Sequence, residues 1–101
     1  NINDENTIPK EFSLHDNYPN PFNSVTKIAF DMPIKGDARL IIYNIMGQKI
    51  KEYHMTGLSA GYHSLTWDAN NSFGQPVSAG IYFYRFETKT FTKTKRMLLL
   101  K

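Results

Sequence analysis

The chain has 101 residues, is 41% hydrophobic, 14% aromatic and 21% charged, and carries a formal net charge of +3. That is the size and balance of one ordinary globular domain. It contains no cysteine, which excludes disulfides, thiol catalysis and thiolate zinc sites, so apolar burial must offset an ordering cost on the order of 100 kcal/mol.

The first residue is Asn, and no apolar run reaches the length of a signal-peptide core or a membrane helix. The chain is therefore expected to be a piece of a longer protein, with any signal peptide upstream. Charge is spread unevenly. Residues 1–24 hold Asp4, Glu5, Glu11 and Asp16 against Lys10, whereas Arg85, Lys89, Lys93, Lys95, Arg96 and Lys101 face only Glu87 near the other end.

Residues 1–11 are polar and aperiodic and read as a linker from an upstream domain; residues 12–101 form the domain proper. Asn17, Tyr18, Pro19, Asn20, Pro21, Phe22 and Asn23 come next. Two prolines fix φ and remove two backbone donors, so this stretch is neither a central strand nor a helix interior. It is expected to be a stiff ribbon whose Tyr18 and Phe22 cap one end of the core.

Alternation then begins. Over residues 25–32, Ile28, Phe30 and Met32 share a face opposite Lys27 and Asp31, the pattern of a half-buried strand. Over residues 38–45 both faces are apolar, which predicts a central strand. A tight turn at Met46-Gly47-Gln48 leads into a returning strand over residues 48–55, and another strand follows over residues 62–67, where His63, Leu65 and Trp67 share a parity. Residues 68–79 read as a loop rich in Asn, Ser, Gly and Pro, and residues 81–86 as the most strand-like run, with Tyr82, Tyr84 and Phe86 on one face. The last strand, over residues 91–100, contains a conflict. Lys93 and Lys95 share a parity with Met97 and Leu99, and Arg96 shares one with Leu98 and Leu100. A bulge or break near Lys95-Arg96, or a free tail beyond it, is the expected resolution. No window shows helical periodicity, and six or seven short strands separated by Gly or Pro predict an all-β antiparallel sandwich.

Most candidate chemistry has a simpler explanation. Asp68, Asn70 and Ser72 alternate like the start of a calcium loop, but Phe73 stands where the loop glycine belongs and no acidic residue follows before Glu87. Asx side chains capping their own turn account for it. His15, His54 and His63 are scattered, and no nucleophile elbow or phosphate loop is present, so no catalytic residue is assigned. The basic tail lacks interleaved aromatics, and alternation sends Lys93 and Arg96 to opposite faces, which argues against nucleic acid. No metal, cofactor or small-molecule substrate is expected.

The ordered set Asn17-Tyr18-Pro19-Asn20-Pro21-Phe22-Asn23, Ile28-Ala29-Phe30, Leu40-Ile41-Ile42-Tyr43-Asn44-Ile45-Met46-Gly47, Ala60-Gly61-Tyr62-His63, Leu65-Thr66-Trp67-Asp68, Gly74-Gln75-Pro76-Val77 and Gly80-Ile81-Tyr82-Phe83-Tyr84 resembles the type IX (Por) secretion system C-terminal sorting domain. The closing Lys95, Arg96, Met97, Leu98, Leu99, Leu100 and Lys101 resemble that family's last strand. The part from Trp67 to Tyr84 is also similar to the immunoglobulin-like domain of flagellar hook-capping proteins. The resemblance implies an immunoglobulin-like sandwich of about seven strands that directs an upstream cargo across the outer membrane to the cell surface or medium. Its implied partners are an outer-membrane translocon and a sortase-like peptidase. It places recognition on residues 95–101, and secondarily on residues 17–23. Without the resemblance, the basic tail reads as an edge strand whose lysines discourage pairing. The alternatives are a structural, adhesive or carbohydrate-binding module of a secreted enzyme, in which exposed aromatics would stack on sugar, and a cap-like assembly domain.

Overall fold

In a computed structural model the chain is described over residues 8–101. Seven antiparallel strands form two packed sheets: β1 (Ser13–Leu14), β2 (Thr26–Met32), β3 (Gly36–Asn44), β4 (Lys49–Leu58), β5 (Gly61–Trp67), β6 (Gly80–Glu87) and β7 (Thr92–Leu99). One sheet has the order β1-β2-β5 and the other β4-β3-β6-β7. This is the immunoglobulin-like architecture. Most of the linker segment, residues 1–7, lies outside the described residues.

Alternation decides what each strand buries. Ile28, Phe30 and Met32 of β2 meet Ala38, Leu40 and Ile42 of β3, Tyr82, Tyr84 and Phe86 of β6, and Met97 and Leu99 of β7. Full burial of such side chains contributes roughly 1.5–3 kcal/mol each. Phe30 packs on Phe86 at 4.7 Å between centroids, and Trp67 sits edge-on to Tyr82 at 5.4 Å. Tyr82 also donates its hydroxyl to the Ser78 carbonyl at 2.6 Å, the corner bond found in immunoglobulin-like sandwiches. β3 is central, as its two apolar faces imply. Ile41, on its outward face, is buried between cross-strand neighbours Glu52 and Arg85. The ion pairs Lys49–Glu52, Arg39–Glu52, Arg39–Glu87 and Arg85–Glu87 run across that face. The Arg39 guanidinium holds the Glu87 carboxyl below the usual range.

Two expectations are corrected. β7 has no bulge or break and no free tail directly beyond Arg96: its register against β6 is continuous from Thr92 opposite Glu87 to Leu99 opposite Gly80. The conflict dissolves because the facing sheet ends in β1, only two residues long, so the first half of β7 has little apolar surface above it. Lys93 stays exposed there, and Lys95 reaches Asp16 at 2.9 Å. The register shifts fall between β3 and β4 instead. The second correction concerns the proline ribbon. Phe22 does enter the core, at 1% exposure, but Tyr18 is 80% exposed, and Asn17 is the buried residue beside it.

Candidate recognition site: the ribbon and the last strand

Residues 17–23 connect the two sheets. At one end the Tyr18 amide donates to the Lys27 carbonyl, and the Lys27 amide to Tyr18, both at 2.9 Å, which fastens the ribbon to β2. At the other end Phe22 pairs in parallel with Leu99. The Phe22 amide donates to the Leu98 carbonyl at 2.9 Å, the Leu100 amide donates to the Phe22 carbonyl at 2.7 Å, and the Leu98 amide donates to Asn20 Oδ1 at 3.0 Å. The peptide bonds preceding Pro19 and Pro21 are cis.

Asn17 holds the bend from inside. Its side-chain amide donates to Thr26 Oγ1 at 3.0 Å and to the Pro19 carbonyl at 3.2 Å. Its backbone amide donates to the Tyr84 hydroxyl at 2.9 Å, and that hydroxyl donates in turn to the His15 carbonyl at 2.8 Å. Burial pushes the Tyr84 hydroxyl up to about 12, the Asn17 amide pulling it partly back. A fully buried phenol thus ties β6 to the chain entering the ribbon. Thr26 supports the same bend by donating to Pro19 at 2.8 Å.

The two sequence segments singled out for recognition are therefore one structural unit. Phe22, Met97 and Leu99 face inward, with Phe22 against Trp67 at 5.9 Å. Tyr18, Pro19, Asn20, Pro21, Asn23, Arg96, Leu100 and Lys101 are exposed around them. A side chain inside the core cannot touch a partner without unfolding, so only the exposed set is open to one.

A family model for secretion system C-terminal sorting domains matches residues 16–100. The chain belongs to this family. No curated protein matches it significantly. The sorting domain's fold is that of parts of larger solved structures. It is similar to dimeric latent PorU from Porphyromonas gingivalis, with a TM-score of 0.71 and 15% identity over 86% of this chain and 9% of that one. It is similar to PorZ, a surface component of the type IX secretion system in the same organism, with a TM-score of 0.61 and 17% identity over 88% of this chain and 12% of that one. FlgD from Xanthomonas campestris, a hook-capping protein, shares the fold with a TM-score of 0.59 and 17% identity over 90% of this chain and 63% of that one. The sorting domain thus spans a small share of PorU and PorZ. A domain of this family is an export signal, working with the type IX machinery and a cargo domain, and marks an exported protein.

The other sequence candidates are placed as follows. His15 and Ser13 both bond to Asp31 Oδ2, at 2.9 and 3.1 Å, so the carboxylate separates hydroxyl and imidazole instead of lining them up as nucleophile and base. His63 stacks on Phe30 at 5.6 Å and bonds the Ser59 carbonyl, and His54 faces outward opposite Arg39. In the loop after β5, Asn71 Oδ1 accepts from the Phe73 and Gln75 amides, at 2.9 and 3.0 Å, the Asx capping its sequence suggests. Among the described residues no group of three or more acidic, His or Cys side chains converges. Trp67 and the Tyr82-Tyr84-Phe86 face lie in the core; Tyr18, Tyr62 and Phe73 are the exposed aromatics. Asp16, which holds Lys95, is legible in sequence only as one member of the acidic end. The one local signal for it is an acid placed shortly before the ribbon of a chain whose tail is basic.

Proposed function

We propose that the type IX translocon reads the folded ribbon-and-tail unit, residues 17–23 together with 95–101, and carries the upstream cargo across the outer membrane to the cell surface or medium. A sortase-like peptidase then meets the polar junction of residues 1–11. The observation that carries this reading is the pairing of Asn20 and Phe22 with Leu98 and Leu100, which makes one surface of two segments far apart in sequence. A receptor gains specificity from such a surface because only the folded domain presents it, so export is coupled to folding.

The test is a reporter carrying an ordinary export signal and this domain at its C-terminus, expressed in a host with a type IX apparatus. Exposed positions are changed so that the core is untouched: Tyr18→Ala, and Leu100→Asp with Lys101→Glu. Export of the double variant is expected to fall at least tenfold, with thermal melting of the isolated domain unchanged. Undiminished export of both variants would overturn the assignment of recognition to this unit.

A further inference from the structure

The ribbon covers only half of the last strand. In an antiparallel ladder, alternate residues turn both their amide and carbonyl toward one neighbour. Leu98 turns both of its groups, and Leu100 its amide, away from β6 and toward Asn20 and Phe22. The same parity gives the outward direction to Thr92, Thr94 and Arg96. Among the described residues, these three have no backbone partner on that side. All three are exposed, as is Lys93 between them. The register of the strand is regular here, without the bulge that commonly protects an edge.

From this we infer that residues 92–96 of β7 are a strand-addition site, at which an extended acidic segment of the outer-membrane machinery pairs main chain to main chain. The inference rests on the export reading and sharpens it. Main-chain recognition falls on residues 92–96, because both outward groups of Leu98 and the outward amide of Leu100 are already used. Charge selects the occupant. Lys89, Lys93 and Arg96 form no ion pair among the described residues, and Lys95 meets only the largely exposed Asp16. A second copy of this chain fits poorly: antiparallel pairing centred on Thr94 sets Lys93 opposite Lys95 of the mate, and like charges directly opposite destabilise a ladder. An acidic strand meets the same lysines favourably, and its backbone continues the line that the ribbon occupies further along.

Proline tests the site directly. The Thr94 amide points outward, so Thr94→Pro removes one donor of the open edge and leaves the bonds to β6 in place, as edge prolines do. In the reporter host, four constructs are compared: the intact domain, Thr94→Pro, Lys93→Glu with Arg96→Glu, and Leu100→Asp with Lys101→Glu. Melting of each purified domain is followed by circular dichroism. Export of folded Thr94→Pro is expected to fall at least tenfold, and that of the charge-reversed domain at least fivefold. If folded Thr94→Pro is exported like the intact domain, the edge is not used, while the export reading stands. If Thr94→Pro does not fold, the charge reversal decides: loss supports the site and full export overturns it. If the intact domain itself stays in the periplasm, the export reading fails and the edge site falls with it.

Discussion

Replacing Phe22 with alanine separates the structural and surface roles of the ribbon. The Phe22 ring is 1% exposed and packs against Trp67 within the core cluster. Its backbone bonds to Leu98 and Leu100 do not depend on the side chain. Phe22→Ala therefore reports packing alone, which for a fully buried ring costs about 3–5 kcal/mol. For a domain of this size each kcal/mol moves the melting midpoint by about 4–8 °C, so a drop of at least about 12 °C is expected. Tyr18→Ala, four residues away on the same ribbon, removes a ring that is 80% exposed and should stay within about 0.5 kcal/mol of wild type. Urea titration at 25 °C gives both values, with an unchanged slope indicating that the unfolded states are comparable. A cost below about 1 kcal/mol for Phe22→Ala, or equal costs for the two variants, would refute the placement of the ribbon as a lid on the core.

Deleting residues 95–101 removes Met97 and Leu99, each worth about 2–5 kcal/mol on truncation, and much of the β6–β7 ladder. Against a total stability of about 5–15 kcal/mol, the truncated domain is expected to show no cooperative melt by circular dichroism. A native-like melt would contradict the buried placement of these residues. Tyr84 gives the domain an alkaline limit. Its folded value, raised to about 12 against an ordinary 10, means that the folded state holds the proton more tightly. The contribution is complete below pH 10 and is lost between 10 and 12, by up to about 3 kcal/mol. Stability measured across that range should fall for the natural chain and fall less for Tyr84→Phe. At pH 7, Tyr84→Phe should itself cost about 1–3 kcal/mol, because the buried Asn17 amide loses its acceptor; equal stability of the two chains at pH 7 would remove the hydroxyl from the account.

Much of the fold was legible from local alternation. The inward set Ile28, Phe30 and Met32, the central position of the strand containing Ile41 and the core face of Tyr82, Tyr84 and Phe86 all follow from a period of two. What alternation does not reveal is what lies across from a residue. Lys95 shares a parity with Met97, and the short facing strand β1 together with the spatial neighbour Asp16, 79 positions away in sequence, explains how a charge sits there without a bulge. Asn17 takes the buried place expected of Tyr18 for a similar reason. Aromatic character argued for burial of Tyr18, while the hydrogen-bonding needs of a bent backbone placed Asn17 at the centre, where its amide can reach Thr26 and Pro19. The two segments proposed for recognition were each visible in sequence, but their joining depends on pairing between positions 78 apart. The open edge at residues 92–96 became visible only once the half occupied by Asn20 and Phe22 was known.

The most direct test of the central claim is the fraction of reporter outside the cell when it carries this domain, compared between a host with an intact type IX translocon and the same host with the translocon deleted. Reporter outside only in the intact host is the predicted result. Reporter retained in the periplasm of both hosts, with the attached domain shown to be folded, would contradict the claim that this sandwich is an export signal.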